Sequence, residues 1–444
     1  MPMHAYARAS TALAPGGGPL ANVGPAMRRM ALLAILSSLL AIAVTACGGG
    51  STQIIRTPVI GVVAKTPQAG QKLGFPAVAT KNTTRVAGAD PVADAAGVAL
   101  AVYPSSAPGT HPGAVTIAPT DDWEAAIASS VLMAAPIKAP ILLSGSSALP
   151  SATSDALAQL APKGSGAGGA AEVIRIGDVP APAHLRSVAI GGKDPFTLAA
   201  AIDRFASAAA GTASPDVMIA SVDDPRYAMP AAGWAAESGN PILFVSSSGV
   251  PPATQQALLS HQHPHIYVLG PTSVVSDKVV KQLGKYGTVM RVGASDPAAN
   301  SVAFAAFRDP ACTSGQPCVH VPGSFGWALR SPGHGYTLIN ANQTLDAAAA
   351  APLSASGSFG PELVIDDAKT MPSAILNYFL NYATPGYTQE GPTAAVYNHG
   401  WVIGDQNAVA VPVQAEMDSL LEAIPQQTTQ SPTPSTPPQQ TTPR

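Results

Sequence analysis

Two short apolar stretches that occur twice with the same spacing decide the fold. VTIAPTDD at residues 115–122 returns as VMIASVDD at residues 217–224, and PILL at 140–143 returns as PILF at 241–244. The first pair is 102 residues apart and the second 101, and Asp194-Pro195 returns as Asp296-Pro297. A spacing that stays constant over so long a stretch predicts tandem copies of one structural unit.

Within each copy, apolar runs alternate with helical patterns. An Asp-Pro pair predicts a helix with Asp as N-cap and Pro as first helical residue. A strand (VTIA, VMIA or YTLI), an Ala-rich helix, the Pro-Ile-Leu-Leu strand, a further helix and a strand ending in Gly follow. The Pro-Ile-Leu-Leu strand lacks polar alternation, which predicts burial on both faces. We therefore predict an α/β fold of three tandem repeats of about 102 residues, each a small parallel sheet with flanking helices.

The copies divide most of the chain. We place the repeats at residues 85–190, 191–290 and 291–424, the third being the most diverged because Pro-Ile-Leu-Leu becomes Pro361-Glu-Leu-Val. Residues 425–444 are rich in Pro, Thr and Gln, which predicts a disordered tail without a core.

The amino-terminal segment is typical of a bacterial export signal. A basic stretch at residues 27–30 precedes an uncharged apolar run at 31–44, and small residues lead to Cys47. This pattern predicts a signal peptide at 1–46, with 1–26 as an upstream extension, and a lipidated (palmitate-bearing) Cys47 followed by a flexible linker to residue 84. An ordinary secretory signal or a marginal membrane helix is the alternative.

The two other cysteines lie close together in the sequence. Cys312 and Cys318 enclose a short loop, and an exported setting favours a disulfide between them. Two reduced thiols are the alternative, and the spacing is wrong for a four-ligand zinc cluster.

Charge and motifs exclude several functions. Only 11% of residues are charged and the net charge is −3, which argues against nucleic acid and against an anionic membrane surface as partners. Asp121-Asp122 and Asp223-Asp224 are interpreted as helix caps, and the histidines at 261, 263 and 265 as a solvent loop. The sequence has no H-E-x-x-H, G-x-S-x-G or Walker A motif. We therefore predict no catalytic residues, no metal and no cofactor.

The order R-x-x-G-x-D, strand, D-A-x-A-A-x-P-L, P-I-L-L, pieces of which occur in the three copies, resembles the cell wall binding repeat 2 family. The resemblance rests on residues 85–91, 140–143, 241–244, 291–297 and 346–353. It implies three modules around a pseudo-threefold axis that hold a surface protein on a Gram-positive wall, in the best-known members through anionic polymers. The residues it suggests for polymer binding or module contact are Arg85, Arg291, Pro140, Ile141, Leu142, Leu143, Pro241, Ile242 and Leu243.

Together these patterns predict a non-enzymatic lipoprotein on the outer face of the cell membrane. Its partners would be the membrane, through the lipid, and a cell-wall polymer, either an anionic glycopolymer or one linked to peptidoglycan. Two alternatives stay open: a solute-binding lipoprotein of a transporter, which would have two lobes, and a wall-active hydrolase.

Overall fold

The computed structural model describes residues 77–307, 309, 325–327, 334–356, 360–382 and 398–422. The predicted signal peptide, the lipidated Cys47, most of the linker, the predicted Cys312–Cys318 disulfide and the tail lie outside the described residues. Among those that are described, no helix is long and apolar enough to cross a membrane.

The elements run in the predicted alternation of strands and helices. The first part of the chain forms β1 (Ala77–Ala79), β2 (Thr83–Val86), α1 (Pro91–Val102), β3 (Val115–Pro119), α2 (Trp123–Ala128), a 3-10 helix (Ser129–Met133), β4 (Ile141–Ser144), α3 (Ser151–Leu160), β5 (Val173–Ile176) and β6 (Ser187–Ile190). The middle part forms α4 (Pro195–Ala210), β7 (Asp216–Ser221), α5 (Pro225–Ala228), α6 (Ala231–Ser238), β8 (Ile242–Val245), α7 (Pro252–Ser260), β9 (His265–Leu269), α8 (Asp277–Leu283) and β10 (Thr288–Val292). The last part forms α9 (Pro297–Ala305), β11 (Gly335–Asn340), α10 (Leu345–Ser354), β12 (Glu362–Ile365), α11 (Ser373–Asn381), β13 (His399–Ile403) and α12 (Val411–Leu420).

Three sheets repeat one strand order. The first runs β4-β3-β5-β6, the second β8-β7-β9-β10 and the third β12-β11-β13-β2, with β1 added at the edge of the third. All pairings are parallel except that of β1 with β2. The α/β class and the small parallel sheets flanked by helices are confirmed. Three sheets also differ from the two lobes expected of a solute-binding lipoprotein.

The Asp-Pro pairs start helices as predicted. Asp90, Asp194 and Asp296 are the N-caps of α1, α4 and α9, and each side chain accepts a hydrogen bond from a backbone N–H in the first turn, at 2.8–2.9 Å. Proline at the first helical position costs nothing, because its missing N–H would have no partner in the helix.

Ala-rich helices pack against one another at the centre of the three sheets. The 3-10 helix that continues α2 contacts α6, and α10 contacts both. Alanines 347–351 of α10 are fully buried. A Cβ on Gly233 of α6 would lie 2.5 Å from the Ser354 side-chain oxygen of α10. Small side chains are therefore required because the helices approach closely, and one continuous hydrophobic cluster joins residues of all three sheets.

The last strand in the spatial order of each sheet is followed in the chain by a helix that packs on the next sheet. After β6 of the first sheet, α4 packs on β8 and α7 of the second; after β10, α9 packs on β12 and α11 of the third. The ring closes because β2 pairs with β13, while α1 packs on β4 and α3 of the first sheet. The predicted repeat boundaries at residues 85, 191 and 291 fall in or beside these shared strands, so a sequence repeat and a sheet are offset by one strand.

Candidate functional site: crevices at the carboxyl ends of the strands

Each sheet has a topological switch point at the strand that comes first of its three consecutive strands in the chain and second in the spatial order, namely β3, β7 and β11. In the first sheet the chain runs from β3 to β4 on one side and then crosses to β5 on the other. In open α/β sheets such a divergence leaves a crevice outside the carboxyl ends of the two strands, and ligands bind there. The same strand arrangement recurs at β7 and at β11, so a crevice is expected at the corresponding edge of each sheet.

The crevice of the first sheet is an open cleft of about 440 Å³. It is formed by the loops that follow β3, β4, β5 and β6 and by the first turns of α2 and α4. The charged residues that line it are Asp121, Asp122, Glu124, Asp178, Lys193 and Asp194. Five carboxyl groups against one ammonium group make this an acidic cleft.

These carboxyl groups have different tasks. Asp122 and Asp194 cap α2 and α4, accepting hydrogen bonds from the backbone N–H groups of Ala125 and Thr197 at 2.8 Å. This confirms the interpretation of Asp122 as a helix cap. Asp121 and Asp178 are exposed and cap no helix. They are therefore available to accept hydrogen bonds from a ligand.

Glu124 is the buried carboxyl group of the cleft. Burial raises the pKa of Glu124 to about 7, and the neighbouring Asp122 carboxylate adds to this rise. Near neutral pH Glu124 is therefore present in both forms, so it can accept a hydrogen bond when ionised or donate one when protonated.

Arginines hold the loops of the other two crevices. Arg291 on β10 donates to the carbonyl oxygens of Gly270 and Val275, both at 2.8 Å. Arg85 on β2 donates to the carbonyl oxygens of Gly404 at 2.8 Å and Asp405 at 2.9 Å. Arg291 thus binds the loop that follows β9, and Arg85 binds the loop that follows β13.

The first sheet lacks an arginine at that place. Its fourth strand carries Ala189, and Arg175 on the neighbouring β5, which pairs directly with Ala189, donates to the Val179 carbonyl oxygen at 2.8 Å. The same kind of loop is therefore held from a different strand.

The predicted binding residues lie mostly inside the protein. Arg85 is 3% exposed, and its guanidinium group donates to two backbone oxygens and to Gln414 Oε1 at 2.8–2.9 Å, while Nη2 has no partner among the described residues. This burial favours module contact for Arg85, and polymer binding by this residue stays a prediction. Arg291 is partly exposed but makes the same kind of internal contact.

The Pro-Ile-Leu-Leu segments are also internal. Residues 140–143 and 241–243 are buried, and the carbonyl oxygens of Pro140 and Pro241 accept hydrogen bonds from Thr116 and Met218 at 2.9 Å. β4 contacts α1 and α10, and β8 contacts α4, which enters from the first sheet. Their apolar side chains thus serve contacts between neighbouring sheets.

The histidine segment differs from its prediction as a solvent loop. His263 and His265 are exposed, but His261 is buried, with Nδ1 2.7 Å from the Ser214 carbonyl oxygen and Nε2 2.9 Å from Asp203 Oδ2. Burial alone would lower the pKa of His261, but the Asp203 carboxylate and the Ser214 carbonyl outweigh it and raise the pKa. The imidazole group of His261 connects the end of α7 to α4, because its partner Asp203 lies in α4.

Sequence reasoning missed a group of buried carboxyl groups. Asp94, Asp346 and Glu362 are each at most 1% exposed. Burial raises the pKa of Asp94 to about 7 and holds the pKa values of Asp346 and Glu362 well above their usual range. The only signal in the sequence was Pro361-Glu, which breaks the apolar strand pattern. Within the described ranges, no three His, Cys, Asp or Glu side chains are grouped to hold a metal.

Comparison with known proteins identifies the repeat and the fold. Residues 189–280 match the family described as cell wall binding domain 2 (CWB2), which confirms the resemblance for this segment. Cwp8 from Clostridium difficile has a TM-score of 0.56 at 16% identity, covering 76% of this chain and 52% of its own. Cwp6 from Clostridium difficile has a TM-score of 0.60 at 17% identity, covering 79% and 51%. At such identities the likeness shows the fold alone, and the chain spans about half the length of these structures. No match was found among curated proteins.

Proposed function

We propose that this chain, which carries a cell wall binding domain 2 at residues 189–280, is a cell-surface protein that binds the cell wall without catalysing a reaction. The match to that domain carries the proposal. Support comes from its setting: the matched segment forms most of the second sheet in a closed ring of three similar sheets. The ring offers repeated crevices to a polymer, which itself has a repeating structure.

The binding place we propose is the open cleft of the first sheet. Its exposed carboxylates, Asp121 and Asp178, would accept hydrogen bonds from sugar hydroxyl groups, and Lys193 would donate one. Hydrogen bonds to charged groups are about twice as strong as neutral ones. A volume of about 440 Å³ suits one or two sugar units of a glycopolymer.

The negative charge of the cleft changes which units of a wall polymer we expect it to bind. The sequence resemblance implied an anionic glycopolymer, but a polymer phosphate or carboxylate would be repelled by the carboxylates of this cleft. We therefore propose that the cleft takes the hydroxyl-bearing or amino-bearing sugar units of a wall polymer.

A lipid on Cys47 would attach the same protein to the outer face of the membrane. The acyl chains would anchor the amino-terminal end, and the linker to residue 84 would let the ring reach the wall. The protein would then bridge membrane and wall. This part of the proposal rests on the sequence pattern around Cys47.

Cosedimentation with purified cell walls tests the proposal. The full chain with Cys47→Ser, which cannot be lipidated, would be incubated with walls before and after acid extraction of the secondary polymers. We expect it to sediment with intact walls and to stay in the supernatant with extracted walls. Failure to sediment with intact walls would contradict wall binding. Equal binding to both preparations would indicate that the ligand is peptidoglycan rather than a secondary polymer.

A further inference from the structure

Two buried carboxyl groups lie close to each other where the two ends of the ring meet. Asp94 lies on α1 and Asp346 on α10, and both are 1% exposed. The two helices are in extensive contact, and α10 belongs to the third repeat while α1 belongs to the first. The pair therefore lies at the junction that closes the ring.

One oxygen of each carboxyl group lies near Gly404. Oδ2 of Asp94 and Oδ2 of Asp346 are each 3.8 Å from the position that a Cβ on Gly404 would take, so they are at most twice that distance apart, and Ala408 Cβ lies 2.5 Å from the same position. Oδ1 of Asp94 accepts a hydrogen bond from the Gly88 backbone at 2.8 Å. Neither carboxyl oxygen of Asp346 has a hydrogen-bond partner among the described residues, although both are buried.

The local charge compensates this pair only in part. Arg85 interacts electrostatically with Asp94, but its guanidinium donates to the carbonyl oxygens of Gly404 and Asp405. Asp90 adds negative charge close to both carboxyl groups and raises both pKa values beyond the effect of burial. A buried carboxylate without a partner is strongly unfavourable, so such groups bind a cation or take up a proton.

We propose that Asp94 and Asp346 together bind one Ca²⁺ ion, which joins the helices of the first and third repeats. Ca²⁺ takes oxygen ligands at about 2.3–2.6 Å in a flexible geometry, so modest rotation of the two side chains would bring both oxygens to it. Backbone carbonyl oxygens and water would complete the coordination, since no third acidic side chain among the described residues joins the pair.

The other two crevices provide an internal comparison. Asp94 is the fourth residue after the cap Asp90, and the fourth residues after the caps Asp194 and Asp296 are Leu198 and Asn300. Neither can form a carboxylate pair. The ring should therefore hold this ion at one of its three junctions, and the site does not depend on wall binding.

Equilibrium dialysis of the full chain with Cys47→Ser against radioactive Ca²⁺ tests the site. We expect Asp346→Asn to bind one ion fewer per chain than the parent, and Asp94→Asn, which copies Asn300, to do the same. Ca²⁺ should raise the melting temperature of the parent, because a ligand that binds only the folded state stabilises it. That rise should be lost in both variants.

Glu362→Gln is the matched control, because it removes a buried carboxyl group that interacts with Asp346 through its charge but lies on β12 and contributes no oxygen to the pair. It should keep the full number of bound ions and the Ca²⁺-dependent rise in melting temperature. Equal binding by the parent and Asp346→Asn would overturn the proposal. So would an Asp346→Asn variant that melts higher without Ca²⁺ while its Ca²⁺ response is unchanged, since the pair would then be simply protonated.

Discussion

Replacing Arg85 by methionine is expected to lower the free energy of unfolding by about 4 kcal/mol. Arg85 donates to the carbonyl oxygens of Gly404 and Asp405 and to Gln414 Oε1, all at 2.8–2.9 Å. Methionine keeps most of the volume but leaves the Gly404 carbonyl oxygen and Gln414 Oε1 without this donor, while the Asp405 carbonyl oxygen keeps the backbone N–H of Val409 at 3.1 Å. The lost bonds join β2 to residues more than 300 positions later, so the closure of the ring is weakened. Urea unfolding followed by circular dichroism measures the effect.

Arg291→Met is the matched control for this prediction. Arg291 makes equivalent bonds to Gly270 and Val275, but these residues lie close to it in the chain and its side chain is partly exposed. Water can replace the lost donor there, so we expect a loss of about 2 kcal/mol. A larger loss for Arg291→Met than for Arg85→Met would contradict the role of Arg85 in ring closure.

Replacing Glu362 by isoleucine is expected to stabilise the protein by about 2–4 kcal/mol near neutral pH. Glu362 opens β12, where the two other copies have Ile141 and Ile242. Its side chain is fully buried, and neither carboxyl oxygen has a side-chain or backbone hydrogen-bond partner within normal distance among the described residues. Isoleucine removes the desolvated carboxyl group and adds apolar contact, and thermal and urea unfolding measure the gain.

The gain should depend on pH in a defined direction. Burial, with a contribution from Asp346, holds the pKa of Glu362 well above its usual range. The folded state therefore keeps a proton that the unfolded state loses above about pH 4.3, so stability falls as pH rises from there toward the folded pKa. Glu362→Ile and Glu362→Gln should both lose this part of the pH dependence, and only Glu362→Ile should gain apolar contact. If the dependence of stability on pH were unchanged in both variants, the raised pKa of Glu362 in the folded state would be contradicted.

Local patterns were enough to predict the repeating unit. The Asp caps, the prolines that follow them and the buried Pro-Ile-Leu-Leu strands each depend on neighbours in the chain, and the structure confirms them at Asp90, Asp194 and Asp296. The Ala-rich segments were predicted as helices, but their close packing at the centre depends on contacts between repeats. That packing explains the alanine content.

Features that depend on distant residues could not be predicted in this way. The pairing of β2 with β13 joins the two ends of the ring, and no local pattern specifies it. The repetition of Arg85 and Arg291 at one register was visible and predicted polymer binding or module contact, but the loops that both side chains bind could not be identified from the sequence. His261 was assigned to solvent because its partner Asp203 lies in another helix.

The acidic cleft of the first sheet is the place where we propose that the wall polymer binds. An arginine binds a loop of each crevice, from the fourth strand in the second and third sheets and from β5 in the first. The crevice of the first sheet is an open acidic cleft with two exposed carboxylates at residues 121 and 178. If recognition is concentrated in that cleft, substitutions there should weaken wall binding while the fold is kept. Substitutions of equally exposed carboxylates elsewhere should not.

The most direct test is the binding isotherm of the Asp121→Ala, Asp178→Ala double variant on purified cell walls, compared with the parent chain. Asp155→Ala, which removes an exposed carboxylate on α3 away from the cleft, is the control. We expect the double variant to bind at least about tenfold more weakly, because each lost hydrogen bond to a charged group contributes about 1.5–3 kcal/mol. The control should bind like the parent. Equal affinity of all three chains would contradict recognition by the cleft, and absence of binding by the parent would contradict the wall-binding function.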